Sequence, residues 1–209
     1  MDIIRINKRI SEEFCDYTSN QLTDQFLIND YKKCKSVINH IQELENVLIK
    51  YVNIDVKEKI LDDYLLKLIP AGTKGVIRGN KFNKIVKDYI IELQLDSYRF
   101  EIKFEKKCDL FYTTKIPDWY ILDKDANKIL IGMNQLDLWN GGQQLNRGYK
   151  YLIDNKHNNE SSKLLCVIAN FIQLKSNKNK VYKLFDIGYS KNTLCYLKNL
   201  NNIILSYFN

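Results

Sequence analysis

The chain has 209 residues, of which 45% are hydrophobic and 27% charged, with a formal net charge of +7 and a pI near 9.0. That length suits one domain, or one domain with an appendage, and that apolar content builds a buried core, which excludes a disordered chain. The basic balance favours a polyanionic partner, and no apolar run approaches the roughly 18 residues of a membrane span.

The opening residues, MDIIRINKRISEEF, lack a secretory apolar region. The five cysteines are odd in number and widely spaced, without a CxxC pair. Reduced, buried thiols are expected, and with them a cytoplasmic setting, or a nuclear one in a eukaryotic or viral host.

Residues 1–70 form an N-terminal helical region. From Gln21 to about Val52, apolar positions including Leu22, Phe26, Leu27, Tyr31, Val37, Ile38, Ile41 and Leu44 recur at helical spacing. A second helix is predicted over Val56 to Leu68, with Asp55 as its N-cap. Lys32, Lys33, Lys35 and His40 read as a solvated helix face, with a DNA-contacting arm or dimer surface as the other reading. The stretch Ile69 to Asn80 holds three glycines and one of only two prolines, so it reads as a turn-rich connector. Backbone amides there, together with Lys74, Arg78 and the following Lys81, suit a phosphate grip. A plain loop joining two helices has equal weight, and Walker-loop spacing is absent.

Residues 71–209 are expected to form an α/β core. Lys81 to Leu93 is predicted as a helix with Phe82, Ile85, Val86, Tyr89, Ile90 and Leu93 on one side. Tyr98 to Phe104 alternates as a strand, with Phe100, Ile102 and Phe104 inward and Arg99, Glu101 and Lys103 outward. Glu101 reads as a surface charge before it reads as a ligand.

A β-hairpin follows. Trp119 to Leu122 and Lys128 to Met133 are short β-forming runs around the turn Asp123-Lys124-Asp125-Ala126-Asn127. If Leu122 pairs with Ile129, Asp118 stands opposite Met133, and Gln135 and Asp137 share its face. A register shifted by one residue puts Gly132 and Asn134 there instead. Either way an acid faces a short polar tract at the end of the second strand.

Trp139-Asn140-Gly141-Gly142 leads into a helix over Gln143 to Asp154. Gln143, Asn146, Arg147 and Lys150 form one polar stripe, opposite Leu145, Tyr149 and Leu152. His157 falls in a polar loop and reads as solvated, and no Ser/His/Asp or Cys/His set is visible. Leu164 to Leu174 is predicted as a central strand, Val181 to Gly188 as another, and Asn192 to Tyr207 as a closing helix. The sum is a mixed five-stranded sheet flanked by helices, with an N-terminal helical region.

Pro117-Asp118, the hairpin, the polar strand end and the Gly141-Gly142-Gln143-Gln144 helix start together resemble the core of the PD-(D/E)XK nuclease superfamily, especially its type II restriction endonucleases. The resemblance spans about Gly72 to Phe185. It implies a restriction-endonuclease-like fold, a Mg2+ or Mn2+ cofactor, double-stranded DNA as substrate and a homodimer. Asp118 would be a metal ligand and catalytic residue. Gln135 and Asp137 would join it in catalysis, and Asn134 and Gln135 in metal binding. Lys74, Arg78, Lys81, Gln143, Gln144, Asn146, Arg147 and Lys150 would hold DNA. Where the family has acid-X-Lys, this strand end reads Gly132-Met133-Asn134, Met133-Asn134-Gln135 or Gln135-Leu136-Asp137. Gly79-Asn80-Lys81-Phe82-Asn83 is similar to the family's Gly-x-x-Phe-Glu helix, with Asn83 in the place of Glu. Three readings follow: a metal-dependent endonuclease, a catalytically inactive nucleic-acid-binding protein on a nuclease-like scaffold, and a structural role in which Asp118 caps a strand and the amides satisfy buried backbone.

Overall fold

The structure, a computed structural model, describes residues 21–110, 116–136, 159–169 and 180–209. They divide into two compact units, parted between Lys81 and Phe82.

The helical unit holds helices α1 (Asp24–Lys32), α2 (Lys35–Leu48) and α3 (Ile54–Leu68), and the start of α4 (Ala71–Glu92). Thr23 starts α1, its Oγ1 accepting the Phe26 N–H at 3.2 Å. The cap of α3 is Asn53, whose Oδ1 accepts the Val56 N–H at 3.0 Å. Asp55, expected as that cap, lies instead in the first turn, where its charge complements the helix dipole. Leu27, Tyr31, Val37, Leu65 and Ile69 make the unit's core.

The expected connector over Ile69 to Asn80 is a correction: only Ile69 and Pro70 lie outside a helix, and α4 begins at Ala71. Proline suits a helix start because it has no N–H to satisfy there, and the Pro70 carbonyl accepts the Lys74 N–H at 3.1 Å. Gly75 and Gly79, inside the helix, each cost about 0.8–1.0 kcal/mol relative to Ala. The helix carries that cost because its second half buries Phe82, Ile85, Val86 and Ile90, each such burial contributing about 1.5–3 kcal/mol. With the amides of 74–80 inside a helix, no backbone nest for phosphate forms there.

The second unit is built on a five-stranded mixed sheet in the order β1 (Phe100–Phe104), β2 (Trp119–Asp123), β3 (Lys128–Gln135), β4 (Ser162–Ile168), β5 (Leu194–Tyr196). Strands β1, β2 and β3 are antiparallel; β4 and β5 run parallel to β3. The hairpin has the first of the two registers, with Leu122 opposite Ile129. One face of the sheet carries Ile129, Ile131, Met133 and Leu164, packed with Cys108. Strand β4, expected as the central strand, is an interior strand beside the central β3, and it is buried from Leu164 to Ile168, as a sheet interior requires.

Val181 to Gly188, expected as a strand, belongs to helix α5 (Lys180–Lys191). Leu184, Phe185 and Gly188 sit at helical spacing, and all three are buried. Helix α5 ends at Asn192, which takes a left-handed φ of 52°. The fifth strand is the three-residue β5, and helix α6 (Leu197–Phe208) follows it at once. Helix α6 buries Leu197, Leu200, Ile204 and Phe208 and packs against β3, β4 and β5. No helix among the described residues is long and apolar enough to cross a membrane.

Candidate active site

The polar end of the hairpin is built from three elements. Asp118 lies one residue before β2, and its N–H donates to the Gly132 carbonyl at 3.2 Å. The last pair of the hairpin is Trp119 with Gly132, so Asn134 runs two residues past its partner strand. The Asp118 carboxylate takes the place of the missing partner, its Oδ2 accepting the Asn134 N–H at 2.6 Å. Helix α4 contributes Asn83, whose Nδ2 donates to Asp118 Oδ1 at 3.4 Å and whose Oδ1 accepts from Asn134 Nδ2 at 3.0 Å.

Trp119 closes the arrangement. Its indole N–H donates to Asn134 Oδ1 at 3.1 Å, and the ring is only 1% exposed. The ring lies on Gly132: a Cβ there would fall 1.8 Å from Trp119 Cε2. A large residue facing a glycine across the hairpin therefore fixes where the indole points.

The register alone puts Asp118 on the face of Met133 and Gln135. The hydrogen bonds instead bring it to Asn134 and Asn83. Asp118 precedes the paired strand, so the alternation of the pleat does not bind its side chain. Gln135 is buried, at 5% exposure, at the end of β3 opposite Ile168. Cys166 stands opposite Met133 on β4. Burial, and secondarily the Asp118 charge, push its thiol up to about 12, so it stays protonated and is no nucleophile.

Magnesium commonly keeps several waters and is held by one or two carboxylates plus substrate phosphate oxygens. Asp118, whose Oδ2 meets the Asn134 backbone, offers one carboxylate for that open mode. The site does not make a closed cage, since among the described residues no three of His, Cys, Asp or Glu come together.

Lys74 and Arg78 project from α4 within the helical unit and pair with Asp24, at 3.1 and 2.5 Å. Tyr31 also donates to Asp24, at 2.8 Å. Burial opposes ionisation of Asp24, but the Tyr31 and Lys74 hydrogen bonds and the Arg78 charge outweigh it and hold its carboxyl below the ordinary value. The Lys81 ammonium sits 5.4 Å from the centre of the Phe26 ring. Asp137, Gln143, Gln144, Asn146, Arg147 and Lys150 fall outside the described residues, as do the Gly-Gly turn, the helix expected over Gln143 to Asp154, and His157.

Two groups escaped the sequence reading. Trp119 reads in the sequence as a strand residue; in the register that pairs Leu122 with Ile129 it faces Gly132, which is the signal of its part. Asp123 was assigned to the turn, yet it is fully buried. Its Oδ2 accepts from Arg99 Nη2 at 2.6 Å and Nε at 3.0 Å, and its Oδ1 from the Asp125 and Ala126 N–H groups at 3.0 and 3.1 Å. Arg99, read as outward, also donates to the Phe208 carbonyl at 3.0 Å. The Arg99 bonds, followed by those from the turn amides, hold the Asp123 carboxyl down at about 2. This is a fold latch at the far end of β2 from Asp118. Compared with known protein families, curated proteins and solved structures, the chain matches none.

Proposed function

We propose that this protein is a metal-dependent DNA endonuclease of the PD-(D/E)XK type, with Asp118 as its metal-binding carboxylate. The observation that carries the reading is the meeting of Asp118, the tip of β3 and Asn83 of α4 through direct hydrogen bonds. These are the three positions where the resemblance expects the Pro-Asp acid, the strand-end motif and the helix acid. The net charge of +7 suits a polyanionic substrate.

A bound Mg2+ or Mn2+ would supply Lewis-acid polarisation of the phosphate and a water of lowered pKa. Asp118 contributes the anchoring charge. The Asn134 N–H and the Asn83 amide hold its two oxygens in one orientation, which is the positioning a catalytic group needs. Asp137, Gln143, Gln144, Asn146, Arg147 and Lys150 follow β3 in sequence and are proposed to complete the site and hold the DNA backbone. Homodimerisation is proposed by analogy with enzymes that cut palindromes.

The test is incubation of supercoiled plasmid with Mg2+ or Mn2+ and either wild-type protein or Asp118→Ala. Cleavage that disappears in the variant supports the enzyme. A second reading, a nuclease-like DNA-binding protein without chemistry, is favoured by one observation: Asn83 and Asn134 present amides where acids are expected. Mobility shift without cleavage in either metal would establish that reading instead.

A further inference from the structure

We propose that Trp119 is a positioning residue for Asp118, acting through two amides whose orientation it sets. The inference rests on the reading of Asp118 as the reactive-site carboxylate, and it adds a residue that the motif does not contain.

The argument is one of donor and acceptor types. An indole N–H can only donate. The Asn134 atom facing it must therefore be the oxygen, at 3.1 Å. That turns the Asn134 NH2 toward Asn83, whose facing atom must in turn be its oxygen, at 3.0 Å. The Asn83 NH2 is then the group left facing Asp118 Oδ1, at 3.4 Å. A donor-only group at one end and an acceptor-only carboxylate at the other thus agree on one sense for both amides, and the indole, with the shorter bond, holds that sense so that an N–H faces the carboxylate. Without it, the two amides are held in this sense only from the other end, by the longer 3.4 Å bond from Asn83 to the acceptor-only carboxylate. The indole cannot drift from its task, because it is buried and seated on Gly132. Partners of this kind, one bond removed from a ligand, typically change metal affinity or activity about 10–100-fold when lost.

The decisive variant is Trp119→Phe, which keeps an aromatic ring over Gly132 and removes only the N–H. Side-chain amide resonances of Asn83 and Asn134, recorded without metal, are expected to move in this variant. The Mn2+ concentration for half-maximal cleavage is expected to rise about 10-fold or more, with the saturated rate within a few-fold of wild type. Should Trp119→Phe fail to fold, Asn134→Leu breaks the same chain at its middle link and keeps the backbone N–H to Asp118. The Trp119 indole and Asn83 amide signals are then expected to move. Amide signals of Asn83 that stay at their wild-type positions in the folded variant overturn the proposal, whatever the cleavage assay gives. If those signals move but Asp118→Ala cleaves like wild type, the chain of bonds stands and the metal role of Asp118 falls.

Discussion

Replacing Gly132 by Ala puts a methyl group inside the Trp119 ring. The new Cβ would lie 1.8 Å from Cε2, 2.2 Å from Cζ2 and 2.3 Å from Cδ2. Carbon atoms rest about 3.5–4.0 Å apart, so the indole must withdraw by roughly 2 Å. Trp119 is 1% exposed, so the ring has to press into packed neighbours, which costs about 1–3 kcal/mol. Withdrawal also breaks the bond to Asn134 and leaves a buried N–H without a partner, for a further 1–3 kcal/mol or so. The total, about 2–6 kcal/mol, is a large part of the stability of a domain this size. Urea unfolding followed by circular dichroism measures it, and a double-mutant cycle with Trp119→Leu tests its cause. The two changes should be strongly non-additive, because the smaller side chain makes room for the methyl. A loss below about 0.5 kcal/mol for Gly132→Ala, as at an unconstrained surface position, would refute the packing argument and with it the fixed indole.

The Asp123 latch has a definite pH signature. Its folded pKa, about 2, lies below the ordinary aspartate value of 3.8, so its stabilisation is complete above about pH 4 and is lost as pH falls through about 2. Asp123→Asn should cost about 1–3 kcal/mol at neutral pH and flatten that acid limb of the stability profile. Asn53→Ala should cost about 1 kcal/mol through loss of the α3 cap, while Asp55→Ala should cost less than half as much; thermal melts of both variants make the comparison. Gly75→Ala should stabilise by about 0.4–1 kcal/mol, because the site is helical with nothing within 4 Å of the new methyl; a destabilised melt would argue against a helix there.

The hairpin was legible because its turn chemistry and alternation are local; they narrowed the register to two choices one residue apart, and the structure has the one that pairs Leu122 with Ile129. The segment after Pro70 was misread for an equally physical reason. Three glycines are a local vote for a turn, but Phe82, Ile85, Val86 and Ile90 lie further along the same helix and outvote them. Val181 to Gly188 is short enough that strand and helix periods both fit. The structure separates them through Gly188, where a Cβ would come within 2.6 Å of Leu194 Cβ, so the helix lies close on β5. At the site, Asp118 and Asn134 were legible as a polar cluster, and Asn83 through resemblance alone. The Asp118 hydrogen bonds were not, because they depend on a side chain that stands outside the paired strand. The indole's part was not either, because a tryptophan in a strand ordinarily reads as core.

The central claim is that Asp118 anchors a divalent cation for phosphodiester hydrolysis, and anomalous diffraction from crystals grown with Mn2+ and a short DNA duplex tests it most directly. The account predicts a Mn2+ peak about 2 Å from an Asp118 carboxylate oxygen, shared with a DNA phosphate and missing in Asp118→Ala. DNA bound with no ion at Asp118, or with the ion coordinated elsewhere, would contradict it.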